Sequence, residues 1–443
     1  MAPNPTVMQA VEKLGYRVTV GDVSSQAGLD VKLAERDLLA LASEAGGHLQ
    51  VAESGEIAYQ FPRNFRGVLR NKHWRLRLQE WWDKVWGVLF YLIRISFGIL
   101  LIASIVLMVL TIIIIVTALN SSREGSNNRR SNYGGGMVFL PRMWIGPNPF
   151  WVFSPHYYSR RSYRRPPAQT RGRTDSDNQM NFLEAIFSFL FGDGNPNADL
   201  EERRWRAIAT VIRNNGGAVA AEQIAPYLDD LGDGHSKEYE DYMLPVLTRF
   251  NGRPEVSSEG QIVYHFPSLQ VTASQQNSQP IAAYLKASPW RFSQAGSSQL
   301  TLAAGLGVVN LVAAMVLGRL LADGTIAAQL GGLVAFVAGI YWLLLAYGIA
   351  FLAVPLIRYF WIQWRNRQIE AANEKRQERA RLALDQSNTA LQHKILYAQQ
   401  FAARTVVSQD DLAYTTEMDL TEQEAADADK IDAEWRRRLE SGS

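Results

Sequence analysis

Apolar and polar positions sort this chain into membrane-length stretches and shorter soluble ones. Residues 95–119 are apolar apart from isolated Ser and Thr. About 20 such residues cross a bilayer core as a helix, which predicts a first transmembrane segment. Residues 300–321 and 330–357 are two more segments of this kind. The short stretch between them predicts a transmembrane helical hairpin. Gly305 and Gly307 in one arm and Gly331, Gly332 and Gly339 in the other let helix backbones approach closely in lipid, and they also suit self-association of the hairpin. Arg319 and Asp323 at the tip form the expected interfacial pair. Trp81, Trp82, Trp86 and Tyr91 precede the first segment as an aromatic belt would, and Arg94 can snorkel to the headgroups.

A period of two marks the soluble stretches. Gly55-Glu56-Ile57-Ala58-Tyr59-Gln60-Phe61-Pro62 and Gly260-Gln261-Ile262-Val263-Tyr264-His265-Phe266-Pro267 share the pattern G-x-I-x-Y-x-F-P. Ile, Tyr and Phe fall on one face, as in a half-buried strand. In the first copy, residues 48–52 pair with 56–61 across Glu53-Ser54-Gly55. Asp30 N-caps a helix over 31–44 with Leu33, Leu38 and Leu41 inward, ended by Gly46 and Gly47. A short helix at 22–27, a strand at 18–20 and a helix at 7–14 come before it. The second copy predicts helices over 200–213, 222–228 and 236–250, a strand at Val219 and a hairpin over 255–266. Helix, strand, helix, helix, hairpin is the winged-helix order. The predicted fold class is α+β, two winged-helix-like modules plus transmembrane α-helices, one long span and a helical hairpin.

Charge then decides what such modules contact. Lys and Arg number 45, Asp and Glu 43, so the net charge is +2. A DNA-binding module concentrates Lys and Arg on its third helix and wing, because phosphate contacts supply much of the affinity. Lys32, Glu35, Arg36 and Asp37 cancel on the first third helix. Lys237, Glu238, Glu240 and Asp241 leave the second one negative, and the wings carry Glu53, Glu56, Glu255 and Glu259. DNA is disfavoured as a partner and protein is favoured.

The stretch 121–177 is rich in Gly, Asn, Arg and Pro, which predicts partial disorder. Within it Trp144 and Trp151 belong to an aromatic run broken by Pro141, Pro147 and Pro149, suited to a membrane interface or a partner surface. Arg160, Arg161, Arg164 and Arg165 follow among tyrosines, and anionic lipid headgroups or another anionic partner are the expected contacts. Residues 181–191 are too short to span and predict an interfacial or buried helix. Asp193-Gly194-Asn195-Pro196-Asn197 opens like a calcium loop, but Ala198 and Arg204 stand where that loop needs Gly and Glu. A turn in which Asp199 and Glu202 cap the next helix is expected instead. The tail is charged and helix-favouring. Leu382, Leu391 and Ile395 give only a short register for a coiled coil, and Thr421-x-x-Glu424 is a capping box for a last helix.

The predicted order is therefore module 1 (6–62), a basic and aromatic juxtamembrane helix (63–94), transmembrane segment 1 (95–119), an Arg/aromatic loop (120–179), an interfacial helix (180–192), module 2 (199–267), a linker (268–299), transmembrane segments 2 (300–321) and 3 (330–357), and a charged helical tail (358–443). Residues 1–20 lack a basic-then-apolar signal pattern. With no cysteine, disulfides, thiolate metal sites and cysteine-ligated clusters are excluded in this chain. His48, His73, His156, His235, His265 and His393 are isolated, and no P-loop or nucleophile elbow is present. No catalytic residue, cofactor or metal site is expected, and the chain is read as a non-enzyme.

The run 180–197, the aromatic run 137–153 and the two G-x-I-x-Y-x-F-P repeats resemble those of an uncharacterised family of cyanobacterial and plastid membrane proteins. The resemblance implies a photosynthetic membrane, thylakoid or plasma membrane in a cyanobacterium or a plastid membrane in a plant. Plant members sometimes carry an iron–sulfur cluster biosynthesis label. The expected function is a membrane-anchored interaction or assembly scaffold. The alternatives are a membrane-tethered transcriptional regulator and a cofactor or iron–sulfur assembly factor. Basic residues create a topological conflict. Arg63, Arg66, Arg70, Lys72, Arg75, Arg77 and Lys84 place the N-terminal side in the cytoplasm or stroma, while Lys286, Arg291, Arg358, Arg365 and Arg367 place both ends of the hairpin there. Three crossings cannot satisfy both.

Overall fold

The computed structural model describes residues 4–72, 74–123, 180–232, 238–275, 278–322, 324–408, 412–419 and isolated positions beyond. They form a mixed helix and sheet protein in two compact units. One comprises Met1–Trp82, Pro196–Pro289 and Arg367–Ser443; the other comprises Asp83–Asn195 and Trp290–Asn366.

The first unit holds both copies of the repeat. Copy one runs α1 (Pro5–Lys13), β1 (Arg17–Thr19), α2 (Val20–Ala27), α3 (Val31–Ala45), β2 (His48–Ala52), β3 (Ile57–Gln60) and α4 (Phe65–Lys72). Asn4 and Asp30 cap α1 and α3 through their side chains, and Thr19 with Asp22 forms a reciprocal capping box on α2. Val31, Ala34, Leu38, Leu41, Ala42 and Ala45 form the buried stripe of α3, while Leu33 is only half-buried. Phe65 and Leu69 of α4 are fully buried in the same core. The module therefore does not end at residue 62, since the predicted juxtamembrane stretch supplies one of its walls.

Copy two runs α7 (Leu200–Asn214), β4 (Ala218–Val219), α8 (Ala221–Ile224), a 3₁₀ turn (Ala225–Tyr227), a second 3₁₀ turn (Asp241–Met243), α9 (Leu244–Phe250), β5 (Arg253–Val256) and β6 (Ile262–His265). The expected helix over 236–250 is cut to its last two turns. Pro245 sits in the first turn of α9, where its missing N–H costs nothing, and Glu240 ahead of it is left-handed. Asp199 occupies the N-cap of α7 without a side-chain capping bond and instead pairs with Arg203.

The copies agree in backbone detail. Tyr16 and Gly217 both have positive φ, and each carbonyl accepts the N–H of the closing Phe, Phe61 or Phe266, at 2.8 Å. Gly46 and Asn251 are both left-handed C-caps. A Cβ on Gly47 or on Gly252 would strike that Phe ring at 2.9 Å or 2.4 Å, so both positions require glycine. The sheets then diverge. The first has strand order β1-β3-β2-β9, where β9 (Leu412–Thr415) comes from the tail; the second is β4-β6-β5. Leu49 uses its outward backbone groups on Thr416, its N–H donating to the Thr416 hydroxyl at 2.9 Å and its carbonyl accepting from the Thr416 N–H at 3.0 Å. Pro254 holds the matching position in β5 and has no N–H to offer.

Neither the linker nor the tail is a free segment. Residues 268–299 begin with the end of α10 (Pro267–Gln270) and with β7 (Val271–Thr272), which pairs in parallel with β8 (Thr405–Val406) of the tail. Leu285 is buried in the core of copy two. Among the described residues of the tail, no coiled coil forms. Helix α13 (Gly332–Ala383) continues the third apolar segment without a break, because residues 358–383 contain neither Gly nor Pro. Asn373 exchanges two hydrogen bonds with the backbone of Ala287, Arg376 donates to the Leu285 carbonyl and pairs with Asp229, and Arg379 donates to the Leu228 carbonyl. Helix α14 (Thr389–Gln399) then packs Ala398 on Ala218 and Val263, the outer face of the second sheet.

The second unit is a helical cluster of α5 (Trp74–Arg123), α6 (Phe182–Phe191), α11 (Ser297–Leu321), α12 (Thr325–Leu330) and the first part of α13. α5 absorbs the separately predicted juxtamembrane helix and first span into one 50-residue helix of roughly 75 Å. At one end Leu101, Ala303 and Phe351 pack on Ile186, Phe189 and Leu190 of α6. At the other, Met108 and Ile115 pack on Ala314, Leu317, Val334 and Val337. α5 and α11 thus run parallel and α13 antiparallel to both. Helix α6 is embedded in this cluster: Ala185, Ile186, Ser188, Phe189 and Leu190 are buried, and Phe191 is exposed.

The copies are joined by Asp22, whose side chain is 1% exposed. Its carboxylate accepts from Arg213 Nη2 at 2.8 Å, from the Ala273 N–H at 2.8 Å and from the Thr19 N–H at 3.0 Å. Removing one partner of such a pair leaves the other buried and uncompensated, at a cost of about 3–5 kcal/mol. Asp22→Ala should lower the unfolding free energy of the full chain in detergent by that amount. Combined with Arg213→Met it should lose less than the sum of the two single changes, by about 0.5–3 kcal/mol. Denaturant titration of the four variants measures this, and simple additivity would refute the coupling.

Candidate functional site

Among the described residues, three helices are long and apolar enough to cross a membrane: Lys84–Ser121, Ser297–Leu321 and Gly332–Ala383. Their outer faces carry exposed Leu, Ile, Val, Phe and Trp, among them Trp342 and Phe360. Trp81 and Trp82 are exposed on α5 with ring centroids 6.4 Å apart, and Trp86 is exposed further along the same helix. Trp144, Trp151, Arg160, Arg161, Arg164 and Arg165 lie outside the described residues, as does Asp323, the expected partner of Arg319.

Two polar features inside the second unit escape hydropathy reading. Asn310, the one amide in segment 300–321, is fully buried and donates to the Ser104 hydroxyl. Gly348 makes room for it, since a Cβ there would lie 3.0 Å from Asn310 Oδ1. An interhelical hydrogen bond of this kind fixes helix register in an apolar bundle. Arg358 caps the C-terminus of α6. Its guanidinium donates to the carbonyls of Ser188 at 3.2 Å, Phe189 at 3.1 Å and Phe292, and lies 4.6 Å over the Phe292 ring. The carboxylate of Asp193, first residue of the calcium-loop lookalike, accepts from the Ser188 hydroxyl at 2.6 Å and the Gln294 N–H at 2.7 Å, so the turn is built for structure.

Two sites stand out in the first unit. The first is a socket on copy two. Lys394 of α14 is 9% exposed and pairs with Glu222 at 3.0 Å and with Glu240, while the Tyr264 hydroxyl donates to Glu240 at 2.8 Å. Glu240, counted in the sequence among the charges that make the third helix negative, pairs with the tail lysine and holds the tail in place. The second is a recess of about 380 Å³ at the seam of the two copies, where Arg206, Arg213, Asn214, Gln275, Gln279 and Arg404 line the wall. Arg213 is held there by Asp22 and by the Ser25 hydroxyl at 2.6 Å. Among the described residues, no group of three His, Cys, Asp or Glu side chains converges as a metal site would require.

The molecule is thus a two-copy α+β protein carrying three helices of membrane length. It is 39% identical over 445 residues to a protein of Arabidopsis thaliana called "Uncharacterized protein At5g03900, chloroplastic", an alignment covering 98% of this chain and 81% of the relative. The chain belongs to the family of that chloroplast protein, whose name assigns no iron–sulfur role. No protein-family model matches the chain, and no solved structure does.

Two buried tyrosines of copy two set an alkaline limit on stability. Burial pushes Tyr227 up to about 12, and its hydroxyl donates to the Ala282 carbonyl at 2.6 Å. Tyr264 is raised by burial, then by its bond to Glu240. An unfolded tyrosine ionises near 10.0, so the folded state holds protons that the unfolded state releases. Their contribution is fully present below pH 10.0 and falls away as pH rises toward about 12. Urea midpoints of the full chain should drop as pH rises from 10.0 to about 12, and less steeply in Tyr227→Phe. An unchanged slope in that variant would count against the assignment.

Proposed function

We propose that this chain is an integral membrane protein of a plastid or cyanobacterial photosynthetic membrane, and that it serves as an anchored scaffold for protein partners. In this reading the two copies are winged-helix modules turned from nucleic acid to protein contact. The observation that carries it is the gathering of both copies and the tail into one unit, in a chain that also has three helices of membrane length among its described residues. Copy two presents Leu244 and Val256 to solvent at 59% and 60% exposure, at the start of its third helix and on its edge strand. The third helix of copy one remains mixed in charge, with Arg36 paired to Asp37, which does not suit a phosphate backbone. Cross-linking in mild detergent followed by affinity recovery tests the scaffold. A defined partner should be recovered with the wild type and lost with Leu244→Glu. Recovery of this chain alone, or of the same partner with both forms, refutes the reading.

The same arrangement favours one topology. Copies packed on each other through Asp22 and Arg213 share a side of any membrane the helices cross, and so does the tail strand paired with β2. Both basic flanks then lie in the cytoplasm or stroma, as the charge of each favours. Ser43, Ser258 and Ser387 are exposed in the first unit; Ser121 and Thr325 are exposed at the end of the helical cluster away from α6. The chain has no cysteine, so single cysteines at these positions can be labelled with an impermeant maleimide in sealed, oriented vesicles. The first three should label alike, and the last two only from the other side. Any split among the first three rejects the topology.

A further inference from the structure

We propose that the recess at the seam of the two copies binds a small phosphorylated polyol. Three arginines reach it from two directions: Arg206 and Arg213 from α7, and Arg404 from the tail beyond α14. No acidic side chain is among the described residues lining it. Asp22 lies behind Arg213 and orients it, which leaves Arg213 as a pre-set floor whose ordering cost is met by folding. Arg206 is the adjustable arm. Its partner is Glu202, one turn earlier, with the two side chains 39% and 59% exposed, and such surface pairs contribute only about 0.3–0.5 kcal/mol. Arg404 is exposed, and its guanidinium reaches the Arg213 carbonyl at 3.4 Å.

Size and lining select the rest of the ligand. About 380 Å³ exceeds what a bare phosphate fills and lies within the range of small-molecule sites. Between the arginines the wall offers the side chains of Gln26, Thr210, Gln275 and Gln279, which match hydroxyl groups. No aromatic ring lines the recess among the described residues, so a nucleobase would have nothing to stack on. A sugar phosphate or a glycerophosphate fits both halves of the site. It would touch helix α7, the linker and the tail at once, so occupancy would be coupled to the closure of the unit. This inference does not depend on the scaffold reading.

The probe is sn-glycerol 3-phosphate, added to the full chain in neutral detergent at fixed ionic strength. Titration calorimetry and thermal unfolding should report saturable binding and a matching rise in midpoint, while glycerol gives neither. Arg206→Gln and Arg404→Gln should each weaken binding about tenfold, the loss expected for one charge-assisted hydrogen bond. Both should lower the unliganded midpoint far less than Asp22→Ala does, because the Asp22–Arg213 pair is intact. Vesicles of phosphatidylglycerol that compete with the probe would assign the phosphate to a lipid headgroup; vesicles that do not compete would assign it to a soluble metabolite. Absence of saturable binding, or equal affinity in the double variant, overturns the proposal.

Discussion

A buried carboxylate without partners would cost far more than any single packing contact returns. Asp22 avoids that cost only when three separate pieces of chain arrive together: its own capping residue Thr19, the linker at Ala273, and Arg213 from the second copy. Around this group the other seam contacts fall into place. The Thr19 hydroxyl donates to the Val271 carbonyl, and Arg17 reaches the carbonyls of Ala273 and Val407. Arg249 closes the C-terminus of α2 by donating to the Gly28 carbonyl while stacking over Trp205. Each of these depends on the copies being in register, and Asp22 is the group that suffers most if they are not.

The repeat is most informative where it breaks. Leu49 and Pro254 occupy the same place in two nearly superimposable hairpins, yet only the first can receive the tail strand, because proline has no N–H for a further ladder bond. Glu35 and Glu240 likewise share a position. Glu240 is sealed beneath Lys394, whereas Glu35 lines a second, open recess together with Tyr59 and Glu56. One strand and one lysine from the tail thus treat the copies differently. A pair of similar modules becomes a unit with a defined order.

Period and punctuation made much of this legible in the sequence. Asp30, Gly46 and the G-x-I-x-Y-x-F-P strands place α3 and both hairpins within a residue or two, since local rules govern caps, turns and alternation. Pro245 shortens the third helix of the second copy on the same local grounds, a signal masked in the sequence by the helix-favouring residues around it. What no local rule carries is pairing over distance. Asp22 is readable as half of a capping box, but its partner lies 191 positions away. The arginines of the recess and the tail strand β9 are of the same kind: side chains and backbone groups whose roles exist only after the copies meet. Asn310 is an intermediate case, because a lone amide in an apolar segment is visible in sequence while its contact with Ser104 is not.

Topology follows from these pairings more firmly than from charge counting. The positive-inside tendency is a statistical bias that long loops can override, whereas a buried ion pair and a shared sheet require their partners in one compartment. Parallel α5 and α11 have their starts at the same end of the helical cluster, the end where α6 also packs. Under the proposed topology the basic residues on each flank then obey one rule.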